Sequence, residues 1–353
     1  MRNQLIIGNI FIIIMLLLVP TINADKTNSN LIRELSTIDS FHPDNNLTYK
    51  EWHYFNIIDE DPDLKFFVTF NIGGNVSNPY ESYSNVLMAY DINNNVGQSV
   101  NSCSIVDTYY SNETPDVEIN NSYVKLLPNG YEVYAESTDG NIVFSATFIP
   151  MASPSTVFSG LIGDSGEMNW VTAAPVCKVN GDLTINGMVY SLDGVRGYHD
   201  HNWGRWTWCD NIGWDWGQAI EPNDEADTDV GRYGMTIGRL TNGSHTMDGI
   251  SRLQIWKNKK QIAAFNNVIF SYDYGTDPCP PLINATAKSG EDFITSIFET
   301  SKGLPIEIGK LSGEGCNSTI WELTGNYTVS GTIDGKPIYF QAEGFAEYAE
   351  YIY

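Results

Sequence analysis

Two four-residue segments, Thr184-Ile185-Asn186-Gly187 and Thr332-Ile333-Asp334-Gly335, constrain this chain most. Asn-Gly and Asp-Gly suit a type I′ turn, which needs positive φ at both central residues. Each therefore closes a hairpin between short strands. The first is followed by Gly197-Tyr198-His199-Asp200 and the second by Gly344-Phe345-Ala346-Glu347, a shared Gly-aromatic-x-acid frame. Upstream, Trp52-His53-Tyr54 and Trp214-Asp215-Trp216 each lead through an acidic turn into a strand. Three matches in the same order predict a duplicated β domain, with a boundary between Asp193 and Trp214.

The remaining sequence reads as β throughout. Lys65 to Ile72 is a strand closed by Gly73-Gly74, and Asn141 to Ile149 alternates by two and stops at Pro150. Helical periodicity is scarce; Asp292 to Thr300 admits either a short helix or another strand. Many short strands with turn signals between them point to sandwiches or barrels.

The N-terminus has a different character. Arg2 precedes an apolar run from Leu5 to Val19, and Ile22-Asn23-Ala24 follows. This is the order of a secretory signal peptide cleaved after Ala24. The run is short for a membrane span, which takes about 20 apolar residues. The alternative is an uncleaved anchor that keeps the protein at a membrane surface. The expected segmentation is a signal peptide at 1–24, a linker at 25–44, and β domains at 45–205 and 206–353. The protein is expected to be exported, and sequons beginning at Asn46, Asn75, Asn112, Asn120, Asn242, Asn284, Asn317 and Asn326 fit exposed loops.

A net charge of −24 argues against a nucleic-acid partner. The five cysteines show no zinc-binding spacing, and export permits disulfides. Cys279 and Cys316 could bridge on separation alone, but spacing leaves the connectivity open. The acidic stretch from Glu221 to Asp229 lacks the Gly and closing Glu of a calcium loop.

Segment 197–216 holds two of the five histidines and five of the nine tryptophans. On a strand, His199, His201 and Trp203 share one face, and Asp200 and Asn202 the other. A carboxylate beside an imidazole suits proton transfer, and aromatic faces can hold an apolar ligand and shield a cation. A metal reading would use His199, His201 and Asp200, but no third imidazole is evident from the motif. A third reading is a buried polar plug whose groups satisfy one another. Glu51 is a further carboxylate, equally suited to catalysis or to pairing with Arg196 or Arg205.

Gly197-Tyr198-His199-Asp200-His201-Asn202-Trp203-Gly204, with Glu51-Trp52-His53-Tyr54-Phe55 upstream and Trp214-Asp215-Trp216-Gly217 after it, resembles the carotenoid 1,2-hydratase (hydroxyneurosporene synthase) and AttH-like family. Glu343-Gly344-Phe345-Ala346-Glu347-Tyr348 resembles that family's C-terminal end. The resemblance implies two tandem lipocalin-like (calycin) β-barrels with a long lipophilic substrate between them. It also implies chemistry without a cofactor or metal: hydration of isoprenoid double bonds, hydration of a prenyl-flavonoid, or polyene cyclisation. Carried over by position, His201 acts in proton transfer and Trp203 faces the cation. Asp200 and Tyr233 complete the expected catalytic set, and Tyr198, His199, Asn202, Trp52 and Trp216 line the substrate.

The chain also departs from the hydratase pattern. Where the hydratases carry Tyr-x-Asp, it has Tyr233-Gly234-Met235, and Met235 cannot donate a proton. Asp200 and Asp215 are the available substitutes. His53 stands where the upstream pattern has a second Trp. Two functional classes follow. One is a cofactor-independent hydratase, isomerase or cyclase, a hydro-lyase of the carotenoid-hydratase kind. The other is an exported protein that binds a lipid or isoprenoid without transforming it.

Overall fold

The structure is a computed structural model, and it describes residues 30–163, 165–222, 233–247, 249–276 and 278–351. The signal-peptide expectation lies outside the described residues, as does most of the acidic stretch from Glu221 to Asp229. Among the described residues no helix is long and apolar enough to cross a membrane.

The chain is all β, in two consecutive antiparallel sheets. The first contains β1 (Tyr49–Glu60), β2 (Asp63–Gly74), β3 (Ser82–Ile92), β4 (Asn95–Cys103), β5 (Thr108–Tyr110), β6 (Asp116–Ile119) and β7 (Ser122–Leu127). It continues with β8 (Gly130–Glu136), β9 (Ile142–Pro150), β10 (Ser155–Ile162), β11 (Gly166–Ile185), β12 (Met188–Ser191) and β13 (Val195–Arg205). The second contains β14 (Ile212–Ile220), β15 (Tyr233–Asn242), β16 (Ser251–Lys257), β17 (Lys260–Asn266) and β18 (Ile269–Asp273). Its last four strands are β19 (Leu282–Ser289), β20 (Asp292–Ile306), β21 (Ser318–Ile333) and β22 (Lys336–Tyr351). The ambiguous segment from Asp292 to Thr300 is therefore strand, part of β20, because its alternating apolar residues Ile294 and Phe298 point into one core.

Each sheet centres on a pair of long strands. β1 lies between β2 and β13, and β14 lies between β15 and β22. The sheets curl, so that Ser84 on β3 reaches Thr108 on β5 at 2.7 Å. Both echoed turns have the expected geometry: φ is 50° and 80° at Asn186 and Gly187, and 51° and 69° at Asp334 and Gly335. The echoed frames occupy matching places, β13 against β1 and β22 against β14. Gly197 and Gly344 are glycine because atoms of neighbouring strands crowd them. A Cβ on Gly197 would come within 2.4 Å of Val179, and one on Gly344 within 2.2 Å of the Gln218 carbonyl oxygen.

Three apolar cores result. Phe55, Phe70, Phe144 and Phe148 fill the first barrel, and Leu253, Ile255, Phe298 and Phe340 the second. The third lies in the seam between the barrels and holds Tyr54, Trp170, Trp206, Trp208, Trp214, Trp216 and Trp256. Indole rings dominate it because they bury a large apolar area, and Trp170, Trp214, Trp216 and Trp256 also donate their N–H groups to hydrogen bonds.

The stretch at 25–44, expected to be a linker, does more where it is described. Residues 30–38 are helical, and Asp39, Phe41 and His42 follow into the first barrel. The disulfide also differs from the expectation: Cys209 bonds Cys316, not Cys279. It staples the connection between the barrels to the segment after the short helix Ile308–Leu311.

Candidate functional site

The alternation of β1 and β13 sorts the motif onto two faces. Register pairs Trp52 with Asn202, His53 with His201, Tyr54 with Asp200 and Phe55 with His199. Paired residues share a face, so His53, Phe55, His199 and His201 point into the first barrel. Trp52, Tyr54, Asp200 and Asn202 point into the seam.

The barrel face holds a charge network. His199 Nε2 lies 2.9 Å from Asp39 Oδ2, and its Nδ1 2.9 Å from the Tyr54 carbonyl oxygen. His201 Nε2 lies 2.7 Å from Glu51 Oε1, and its Nδ1 3.3 Å from Asp39 Oδ1. Tyr131 donates its hydroxyl to Asp39 at 2.6 Å, and Tyr49 donates to Glu51. The backbone N–H of His42 also donates to Glu51 at 2.9 Å, and the His42 ring stacks on Trp203 at 3.9 Å. Burial alone would raise Asp39 and Glu51, but the histidines hold both below the ordinary carboxylate range. Burial alone would lower His201, but its hydrogen bonds to Asp39 and Glu51 raise it to about 9. His53 is pushed well down by burial and by the neighbouring charge of His201. The third imidazole that the motif lacked is thus supplied by His53.

The seam is different in kind. It opens into a cleft of about 100 Å³, with Trp52, Tyr54, Phe67, Trp208 and Trp214 on its walls and Glu322 and Glu347 among its lining. A smaller adjoining cavity touches Asp200, Asn202, Trp170, Trp216 and Glu347. Glu322 and Glu347 lie opposite each other on β21 and β22 and share a hydrogen bond. Tyr54 donates to Glu322 at 2.6 Å, and the Trp214 indole donates to Glu347 at 2.7 Å. Among the described residues no cation pairs with either carboxyl, and Lys50, which lines the cleft, pairs with Glu314 at 2.8 Å. Burial raises Glu347 to about 7 despite the Trp214 bond. Glu322 is raised well above its usual value by burial and by the charge of Glu347. Asp200, bonded by Trp170 and Tyr198 at 2.9 Å each, is raised to about 7 by burial and then by Glu347.

The expected site residues therefore divide. Asp200, Asn202, Trp52, Trp216 and Tyr198 belong to the seam. His199, His201 and Trp203 belong to the first barrel and do not line the cleft. Tyr233 belongs to neither: it stacks on Phe340 at 5.4 Å and receives Lys257 Nζ at 2.5 Å in the second barrel. The catalytic trio His201, Asp200 and Tyr233 is thus not brought together, because odd and even positions of one strand face opposite ways. Asp215 is no substitute acid for the cleft. It lies inside the second barrel, paired with Arg239 at 2.7 Å and with His245 at 3.3 Å. Glu51 pairs with neither Arg196 nor Arg205, which bind Glu60 and Asp44. Glu322 was missed altogether, since nothing in its own neighbourhood marks it. Glu347 was visible only as the acid of the echoed frame.

Comparison with solved structures places this architecture. Kievitone hydratase from Nectria haematococca aligns over 89% of this chain and 94% of its own, at 17% identity and a TM-score of 0.57. An AttH from Nitrosomonas europaea aligns over 86% and 93%, at 14% identity and 0.57. The chain shares their fold, a lipocalin-like all-β architecture. CghA, solved with Sch210972, shares it over 86% of this chain and 89% of its own, at 12% identity and 0.55. No protein-family model matches the sequence, and no curated protein matches it. At these identities the likeness establishes the fold, as the resemblance implied, and does not single out a carotenoid 1,2-hydratase.

Proposed function

We propose that this is an exported, cofactor-independent enzyme that protonates a carbon–carbon double bond of a lipophilic substrate held in the seam, chiefly to hydrate it. The observation that carries this reading is the Glu322–Glu347 carboxyl pair in an indole-walled cleft whose lysine, Lys50, is paired with Glu314 instead. A carboxyl raised to about 7 keeps its proton near neutral pH, as a general acid must. On proton transfer from Glu347 to an alkene carbon, the new carboxylate stays bonded by the Trp214 indole N–H. That donor is already in place, so its stabilisation costs no reorganisation during the step. The tertiary cation then faces the rings of Trp52 and Trp214. Water adds to it and returns a proton to the carboxylate, giving a tertiary alcohol. Loss of a carbon-bound proton instead would give an isomerised alkene. The hydratase fold of the neighbours and the apolar cleft walls support the same class of substrate.

The test is mass spectrometry of small molecules that co-purify with the protein, followed by incubation of the extracted compound with enzyme in H₂¹⁸O. The expected result is a lipophilic alkene that gains one ¹⁸O-labelled water with wild type and none with Glu347→Gln. A bound lipophile recovered unchanged after prolonged incubation would instead favour a non-catalytic binding protein.

A further inference from the structure

His199 and His201 each have acceptors at both ring nitrogens. His199 faces the Tyr54 carbonyl and Asp39, and His201 faces Glu51 and Asp39. A neutral imidazole carries one N–H. Each ring therefore needs either a second proton or a cation in its place. Two extra protons would balance the charges of Asp39 and Glu51, and so would one divalent cation. Charge alone does not choose between them.

His53 does. It is fully buried between the rings of Phe41 and His201, at 4.7 and 4.0 Å. Among the described residues, neither of its ring nitrogens has a hydrogen-bond partner. Asp39 Oδ1 and His201 Nδ1 face each other at 3.3 Å without a well-formed hydrogen bond. A polar group left unbonded in a dry core is costly, and the proton-balanced arrangement gives His53 nothing to do. These orphaned atoms converge. His53 Nδ1 lies 3.7 Å and His201 Nδ1 3.3 Å from Asp39 Oδ1. Metal–ligand bonds of about 2.0–2.1 Å in a tetrahedron place donor atoms roughly 3.3 Å apart. Donor atoms of Asp39, His53 and His199 all fall within 4.8 Å of one another.

We infer that Asp39, His53 and His199 form a structural site for a divalent transition metal, with zinc the best match and His201 Nδ1, 3.3 Å from Asp39 Oδ1, at its edge. Two imidazole nitrogens and one carboxylate oxygen suit zinc better than calcium or magnesium, which take oxygen ligands. Outer partners of the usual kind surround the set: the Tyr54 carbonyl behind His199, Glu51 behind His201 and the Tyr131 hydroxyl on Asp39. None of the four side chains lines the inter-barrel cleft, so the metal would hold the fold and take no part in the chemistry there. It would tie the segment that carries Asp39 to β1 and β13. Because the site is buried, loading would occur during folding.

The test uses untagged protein refolded from denaturant with zinc, with cobalt(II) or with chelator, and reads metal content by mass spectrometry. The expected result is about one metal per chain with the first two, visible d–d absorption of tetrahedral cobalt, and a lower melting temperature for the chelator sample. His53→Gln and Asp39→Asn should each lose the metal at least tenfold. If those variants fail to fold, the wild-type cobalt spectrum and metal count still decide. Metal far below one per chain, with melting temperatures that ignore zinc and cobalt, would overturn the site and leave the proton-balanced network in its place.

Discussion

The two faces of β1 and β13 look onto similarly buried acids, yet treat them in opposite ways. Inside the first barrel, Asp39 and Glu51 meet histidines, and both are held below the ordinary carboxylate range even though burial pushes the other way. Across the same strands, Asp200 meets only neutral donors and is raised, as are Glu322 and Glu347. Removing charge from water is tolerable when a partner replaces the water; without one, the group keeps its proton. The first arrangement binds elements together. The second stores a proton beside a cleft. The abundance of histidine in the motif is therefore a poorer guide to chemistry than the direction in which each acid is pushed.

The sharpest way to break this contrast is to exchange one member of each side. Glu347→Gln should cut turnover by about 10²- to 10⁴-fold, the usual worth of a general acid, while the melting temperature stays close to wild type. Steady-state assays beside thermal melts would check both halves. A variant that unfolds without a specific loss of turnover would make the seam a structural feature. Asp39→Ala should do the reverse, with a loss of about 3–5 kcal/mol in denaturant titration because the buried histidines lose the carboxylate that faces them. Its remaining folded fraction should still bind ligand in the cleft.

A smaller effect concerns pH. Glu347 has the ordinary glutamate value of 4.5 in the unfolded chain, and burial raises it to about 7 in the folded one. Between those values the unfolded state has released a proton that the folded state retains. Stability should therefore decline as pH rises through this window, and Glu347→Gln should flatten the decline. Paired denaturation curves from pH 4 to 8 read it directly. Asp39 and Glu51 act in the opposite sense: their contribution is present above the unfolded values and is lost as pH falls through the depressed ones. The smallest effect belongs to Trp214→Phe. The Trp214 indole bond lowers Glu347, so its removal should move the alkaline limb of the activity profile upward by a fraction of a unit. An unmoved limb would assign that limb to another group.

Much of the fold was legible because its signals are local. Asn186-Gly187 and Asp334-Gly335 announce their turns through the positive φ they adopt, and alternation announces the strands. The faces of 199–203 also follow from period two alone. What was not legible depends on contacts distant in sequence. Asp39 reaches His199 from a stretch that reads as a linker, and Cys209 finds Cys316 across the second barrel. Glu322 gains its character only by lying opposite Glu347 and beneath Tyr54. The echoed frame held the decisive clue in a form the sequence could not rank. Its shared acids, Asp200 and Glu347, face the seam, whereas the histidines unique to the first copy face the barrel interior.

The central claim is that the seam holds a protonated carboxyl near neutral pH, and infrared difference spectroscopy tests it most directly. The account predicts a protonated-carboxyl C=O band in wild type that titrates away around pH 7 and is missing from Glu347→Gln. A Glu347 that is already ionised at pH 5, with no such band in wild type, would contradict it.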